Sequence, residues 1–268
     1  MTSPAPKDLT AHRHSAVARY PSLHGRVVFI SGGASGIGAE FVTQFARQGA
    51  RVAFCDIDMA AASALADQLA AEGLDRPLAL ECDVRDIDRL KASLEKTADS
   101  LGPIRVLLNN AARDDRHTVD EVTPAYWDDC LAVNMRHHFF AAQTVWKGMR
   151  DAGGGAIINM GSISWMRGRD GMAGYTTSKA AIHGLTRTLA REFGKHGIRV
   201  NALVPGAILT ERQEKLWLTP EANQQFLDIQ CLKYRLDARE VARTALFIAS
   251  DEAGGIAGQA LIVDGGIV

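Results

Sequence analysis

Short, continuously apolar runs alternate along this chain with longer segments in which apolar residues recur at helical spacing. The apolar runs predict strands at residues 26–31, 51–55, 78–82, 104–108, 156–160, 198–203 and 260–263. The helical spacing predicts helices at residues 39–48, 60–72, 87–100, 124–150, 175–196 and 238–250.

The predicted strands are apolar throughout instead of alternating, which is typical of a parallel sheet covered by helices on both faces. We therefore predict an α/β fold with a doubly wound, seven-stranded parallel sheet. This single domain would span residues 25–268, after an irregular N-terminal arm of residues 1–24. Right-handed crossovers bring the carboxyl ends of such strands to one edge, where ligands bind.

Composition narrows the possible partners. The formal net charge is -1, with 30 Lys and Arg against 31 Asp and Glu, and no long basic run indicates nucleic-acid binding. No apolar stretch approaches the ~18 residues of a membrane span. The four cysteines lack the spacing of a zinc site, so we expect no metal. The N-terminus lacks an apolar signal-peptide core, which favours a cytoplasmic protein.

A glycine-rich turn at residues 31–38 joins the first predicted strand to the first helix. Glycines let the backbone approach a pyrophosphate, whose charge meets the free N–H groups at the start of the helix. Because the turn opens a βαβ unit, it predicts a dinucleotide site. The site residues would be Gly32, Ser35, Gly36, Ile37 and Gly38.

An acidic residue, Asp56, ends the second predicted strand, about twenty residues after the glycine-rich turn, and Ile57 follows it. A carboxylate at this point accepts hydrogen bonds from the adenosine ribose hydroxyls and repels a 2′-phosphate. No basic residue lies between Phe54 and Ala66 to bind that phosphate, although Asp58 is a competing candidate for the carboxylate. NAD is therefore preferred over NADP in this interpretation.

Two further turns follow the third and fourth predicted strands. Asp83 and Val84 could border the adenine. The small-residue turn Asn110, Ala111 and Ala112 leaves room for the ribose and nicotinamide.

A serine, a tyrosine and a lysine are candidates for a proton-transfer site. Ser162 follows the fifth predicted strand, and Tyr175 and Lys179 are one helical turn apart on the next helix. A free tyrosine, with a pKa near ~10, is a poor base at neutral pH, and an adjacent ammonium would lower that pKa. Ser162 could hold a substrate oxygen while Tyr175 moves the proton.

Over residues 24–266 the chain resembles the short-chain dehydrogenase/reductase family, whose members have a Rossmann-like fold. The matching motifs are the turn at 31–38, Asn109-Asn110-Ala111, Asn134, Ser162, Tyr175-x-x-x-Lys179, Pro205-Gly206 and Asp264-Gly265-Gly266. Ser31 replaces a usual threonine and Ala112 a usual glycine.

The resemblance implies roles that the spacing alone does not supply. Asn134 would kink the long helix and hold a water that links Lys179 to solvent, completing a catalytic tetrad. Tyr175 and Lys179 would also contact the cofactor. The residues expected around the nicotinamide are Pro205, Gly206, Ile208 and Thr210. The family further implies a homotetramer.

A narrower resemblance, carried by loop segments, is to bacterial sugar 1-dehydrogenases, especially the D-xylose 1-dehydrogenase group. The segments lie at residues 114–117, 125–128, 161–165, 212–215, 219–221 and 230–233. It implies NAD-dependent oxidation of the anomeric hydroxyl of an aldose (a pentose, L-fucose or D-galactose) to the lactone, with Tyr175 as the base.

Several residues are candidates for binding the sugar. His117, Ser164, Trp165 and Arg212 could hydrogen-bond or stack, and residues 210–219 could form a lid. Trp165 could equally pack in the core or between subunits. Arg167 and Arg169 could bind a carboxylate, unless they are ordinary surface arginines.

Two other functions remain open at this point. One is oxidation of a secondary alcohol in a deoxy sugar acid, which needs a cationic pocket. The other is a non-catalytic nucleotide-binding scaffold, because a fold does not determine a function.

Overall fold

The computed structural model describes residues 17–211 and 219–268 of the chain. Its strands are β1 Val27–Ser31, β2 Arg51–Asp56, β3 Leu78–Glu81, β4 Ile104–Asn109, β5 Gly155–Met160, β6 Ile198–Pro205, β7 Ile208–Leu209, β8 Leu236–Asp237 and β9 Ala260–Val263. Its helices are α1 Gly36–Arg47, α2 Met59–Ala71, α3 Ile87–Leu101, α4 Pro124–Leu131, α5 His137–Asp151, α6 Ala173–Gly194, α7 Pro220–Ile229 and α8 Ala238–Ala249.

Seven strands form one parallel sheet in the order β3-β2-β1-β4-β5-β6-β9, which confirms the predicted fold class. The order reverses between β1 and β4, so a crevice opens beyond their carboxyl ends. β1 and β4 are in register at Ile30 and Leu108, immediately before the two turns that the sequence singles out.

Helices bury both faces of the sheet, as the apolar strands require. On one face α1 and α8 pack over β1, β2, β4 and β5 through residues that include Phe41, Phe45, Val241 and Leu246. On the other face α3, α5 and α6 contribute Leu90, Leu94, Val145, Leu189 and Phe193.

The predicted helix at 124–150 is interrupted in the structure. A π-helical turn at Ala132–Arg136 separates α4 from α5, and it contains Asn134. A π-helical turn inserts an extra residue into the helical ladder and bends the helix, often at functional sites.

Three elements were not predicted: the two-residue strands β7 and β8, which pair with each other, and helix α7. Strands of two residues are too short to produce a recognisable hydrophobic pattern.

Residues 17–24, the described part of the predicted arm, contact the domain. Leu23 is fully buried, and the side chain of Gln48 bonds both the Tyr20 N–H and the Ala18 carbonyl. Among the helices in the described ranges, none combines the length and the apolar character that crossing a bilayer requires.

Candidate active site

The glycine-rich turn between β1 and α1 has a backbone shape that side chains would prevent. Gly32 and Gly36 have φ values of 67° and 55°, in the left-handed region. A Cβ on Gly38 would lie 1.8 Å from the Gly32 carbonyl oxygen. The side chain of Ser35, the residue before α1, makes no capping bond, so it leaves the first-turn N–H groups open to an anion.

Asp56 holds the end of β2 against the turn. Its Oδ2 accepts a hydrogen bond from the Ala34 N–H at 2.9 Å, and its Oδ1 accepts from the N–H groups of Ile57 at 2.8 Å and Asp58 at 3.1 Å. The carboxylate therefore keeps a fixed position at the rim of the crevice. Asp58 instead caps α2 by accepting from the Ala61 N–H at 3.0 Å.

A cavity of about 430 Å³ lies between the turn, Asp56 and the ends of β3 and β4. Most residues predicted to bind the cofactor line it: Gly32, Ser35, Ile37, Gly38, Asp56, Ile57, Asp83, Val84, Asn110, Ala111, Ala112 and Thr210. Pro205 ends β6, Ile208 is buried in β7, and Gly206 lines a second cavity.

The turn after β4 is fastened to the glycine-rich turn. The Asn110 side-chain amide donates to the carbonyls of Ser31 at 3.0 Å and Gly32 at 2.8 Å. The Ser31 hydroxyl accepts from the N–H groups of Asn110 and Ala111 at 3.0 and 3.1 Å. The retained hydroxyl at Ser31 thus joins the two loops that line the crevice.

Two arginines that the sequence analysis did not select, Arg85 and Arg113, also line this cavity. Arg85 donates to both oxygens of Asp83, the shortest contact being 2.5 Å, and holds the pKa of that carboxyl below its usual value. Both arginines also pair with Asp129 of α4 at 2.7 Å. Adenine would meet Asp83 as part of this ionic network. The Asp-x-Arg spacing after β3 was the available signal.

The predicted serine, tyrosine and lysine come together beyond β5. Ser162 and Tyr175 line one cavity of about 740 Å³. Lys179 is 1% exposed, with its Nζ 5.7 Å from the centre of the Tyr175 ring. Lys179 Nζ also donates to the Met160 carbonyl at 2.8 Å, which compensates part of the cost of burying the ammonium.

The pKa of Tyr175 is raised, which contradicts the expectation that it is lowered by Lys179. Burial raises the pKa of Tyr175 to about 12, against a smaller opposing effect of a hydrogen bond with Ser162. Burial also lowers the pKa of Lys179 to about 8. In both cases removal from water disfavours the charged form, and this is the largest effect.

Asn134 lies in the π-helical turn and is fully buried. Its Oδ1 accepts from the Arg113 N–H at 2.8 Å, and its amide donates to the Cys130 carbonyl at 3.0 Å. The side chain thus fixes the loop after β4. Next to it His137 contacts the Ala111 carbonyl at 3.1 Å, and burial lowers its pKa to about 3.

Only some of the residues proposed to bind the sugar line the cavity of Ser162 and Tyr175. Ser164, Arg167 and Arg169 line the 740 Å³ cavity. His117 and Trp165 are not among its lining residues: His117 contacts the Tyr126 hydroxyl at 3.0 Å, and Trp165 packs edge-on against His183. Arg212, and residues 212–218 of the proposed lid, lie outside the described residues.

The sequence analysis also missed part of the wall of this cavity. Asp114 and Arg116 come from the loop after β4, and Gln225, Phe226 and Ile229 from α7. Within the described ranges, no cluster of His, Cys, Asp and Glu side chains is arranged to hold a metal ion.

Comparisons with known proteins identify the family. The family model described as "Enoyl-(Acyl carrier protein) reductase", a short-chain dehydrogenase model, matches residues 32–268. The chain is 47% identical to a "D-xylose 1-dehydrogenase" of Caulobacter vibrioides and 44% identical to a "Probable galactose dehydrogenase" of Rhizobium meliloti. Each comparison covers 93% of this chain and 98% of the relative.

A solved structure agrees with this result. The "3-oxoacyl-[acyl-carrier protein] reductase" of Brucella melitensis superposes with a TM-score of 0.86 at 30% identity, covering 100% of this chain and 98% of that one. Short-chain dehydrogenases use NAD or NADP. The chain belongs to the short-chain dehydrogenase/reductase family, and it is an oxidoreductase that acts on CH–OH groups.

Proposed function

We propose that this enzyme oxidises the anomeric C1 hydroxyl of an aldose to the lactone with NAD, and that Tyr175 is the general base. The observation that carries the proposal is the placement of Ser162 and Tyr175 in the wall of one cavity, with Lys179 beneath the tyrosine ring. The names of the two sugar dehydrogenase relatives support the substrate class.

The crevice suits a dinucleotide. The open N–H groups at the start of α1 would bind the pyrophosphate, and the absence of a side chain at Gly38 leaves the turn closed tightly on itself. Asp56 would accept the ribose hydroxyls. When bound, the nicotinamide supplies the acceptor for the hydride that leaves C1.

The chain's own residues would then handle the substrate oxygen and its proton. The Ser162 hydroxyl, which lies 2.9 Å from the Ser164 hydroxyl, holds the C1 oxygen. The Tyr175 oxygen takes the hydroxyl proton, and the Lys179 charge near its ring favours the phenolate against the burial that raises the pKa of Tyr175. Loss of this proton and of the hydride from C1 leaves the lactone carbonyl. Asn134 positions the loop at 110–113.

A panel of substrates tests the function. We expect rapid formation of NADH with at least one of D-xylose, L-arabinose, L-fucose, D-galactose or D-galacturonate. The alternative, oxidation of a secondary alcohol in a deoxy sugar acid, is favoured by Arg167 and Arg169 in the cavity wall. Turnover of deoxy sugar acids without a free anomeric hydroxyl, and of no aldose, would establish it instead.

The preference for NAD is tested at Asp56. In Asp56→Asn we expect the ratio of kcat/KM for NAD to that for NADP to fall about a hundredfold, because the repulsion of a 2′-phosphate is lost. The amide oxygen can still accept from the Ile57 and Asp58 N–H groups, but the bond from the Ala34 N–H is lost, so thermal unfolding checks that the variant stays folded. Steady-state kinetics with both cofactors measures the ratio.

The matched control is Asp58→Asn, which removes a carboxylate charge two residues further along the chain. Asp58 caps α2. We expect its NAD to NADP ratio to stay within about threefold of the unaltered enzyme, since a more distant exposed charge is screened. A larger change of the NAD to NADP ratio in Asp58→Asn than in Asp56→Asn would reject Asp56 as the residue that selects the cofactor.

The homotetramer and the cytoplasmic location stay predictions.

A further inference from the structure

Three arginines surround the substrate end of the candidate active site. Arg116, Arg167 and Arg169 line the same 740 Å³ cavity as Ser162 and Tyr175. They come from two loops, one after β4 and one between β5 and α6. Neutral hydroxyl groups of a sugar do not need three guanidinium groups, because amides and hydroxyls can bind them without the cost of clustering like charges.

The two loops are held together by bonds that place the arginines. The His117 N–H donates to the Gly171 carbonyl at 2.9 Å, which joins the loops beside Arg116. The Arg116 guanidinium also contacts the Met172 sulfur at 3.0 Å. Within the second loop, the Arg169 N–H donates to the Ser164 carbonyl at 3.2 Å. These bonds fix the two loops that carry the three arginines relative to each other.

Acidic side chains accompany the arginines in the cavity wall. Asp114 lies 3.8 Å from Arg116, and Asp170 is exposed. Among the lining residues in the described ranges, three arginines therefore stand with two aspartates. Burial lowers the pKa of Arg169, and the charges of Arg116 and Arg167 lower it further. An anion bound beside Arg169 would relieve this repulsion.

We propose that the substrate is an acidic sugar, whose carboxylate binds Arg169 and Arg167 beside Arg116. This inference rests on the proposed oxidation of a sugar. The planar guanidinium group matches a carboxylate with two parallel hydrogen bonds. An aldose with a free C1 hydroxyl and a carboxylate at the far end is a uronic acid. Its C1 would lose a hydride to the nicotinamide, its C1 hydroxyl would lose a proton to Tyr175, and its carboxylate is unchanged.

The test compares D-galacturonate with D-galactose, which differ only in a carboxylate or a CH₂OH group at C6. We expect kcat/KM for D-galacturonate to be at least about tenfold higher, consistent with a charge-assisted, bidentate contact. In Arg169→Gln we expect the ratio of kcat/KM for D-galacturonate to kcat/KM for D-galactose to fall at least about tenfold, through a rise in KM for D-galacturonate. Arg89→Gln, in an exposed position on α3, is the control for loss of a charge.

The outcomes separate this inference from the proposed function. Turnover of D-galactose with no advantage for D-galacturonate, or an advantage that survives in Arg169→Gln, would overturn the acidic substrate and leave sugar oxidation standing. A higher kcat/KM for D-galactose 6-phosphate than for D-galacturonate would overturn the proposal that the arginines bind a carboxylate. If neither D-galactose nor D-galacturonate is oxidised, D-galacturonate is titrated into the NADH complex by calorimetry. Binding that is lost in Arg169→Gln would support a carboxylate site at the three arginines. No binding, or binding that does not need Arg169, would reject that site.

Discussion

Replacing Tyr175 by phenylalanine will lower kcat by about a thousandfold, which is within the range for losing a general base, while the affinity for NADH stays within about twofold. The reason is that the hydroxyl alone is removed. The ring stays over Lys179, whose Nζ lies 5.7 Å from its centre and is held by the Met160 carbonyl. Initial rates and a fluorescence titration with NADH measure the two quantities.

Tyr20→Phe is the matched control, since Tyr20 packs beside the core near the start of the described chain and does not line either cavity. Its kcat should be unchanged. If Tyr175→Phe keeps more than about a tenth of the original kcat, another group moves the proton and the mechanism is wrong.

Gly38→Ala will weaken NADH binding by about a hundredfold, roughly 2.7 kcal/mol, which is within the range for forcing a side chain into a closely packed site. The added Cβ would lie 1.8 Å from the Gly32 carbonyl oxygen and 2.8 Å from the Asn110 amide nitrogen. Both groups belong to the fastened loops, so the turn must open to admit the methyl group. A fluorescence titration with NADH measures the affinity.

Gly194→Ala makes the same change at the end of α6, where a Cβ would meet nothing within 4 Å, and should leave the affinity unaltered. Thermal unfolding of both variants separates a local opening of the turn from loss of the fold. Unchanged NADH affinity in folded Gly38→Ala would mean that the cofactor does not bind at this turn.

The sheet could be predicted because its central strands are apolar on both faces. All residues of β1 are buried, and so are the middle residues of β2. The interruption of the long helix at Asn134 could not be read from hydrophobic spacing, because a π-helical turn shifts the pattern by one residue. Helix α7 was missed because it has only ten residues, few of them apolar, so no helical pattern stands out.

The candidate site could be predicted where local spacing determines it. Tyr175 and Lys179 are neighbours on one helical face, and the turn at 31–38 follows a strand. Arg116 was missed because its position depends on a bond between two loops far apart in sequence. The direction of the Tyr175 pKa shift was missed because burial, which depends on the whole fold, is its largest cause.

The central claim is that the hydride comes from C1 of an aldose. The most direct test supplies the most active aldose of the panel with deuterium at C1 and follows the label by mass spectrometry. We predict that the reduced cofactor carries the deuterium and that the product is the unlabelled lactone. An unlabelled reduced cofactor, with the deuterium kept in a keto product, would contradict the claim and place the oxidation at another carbon.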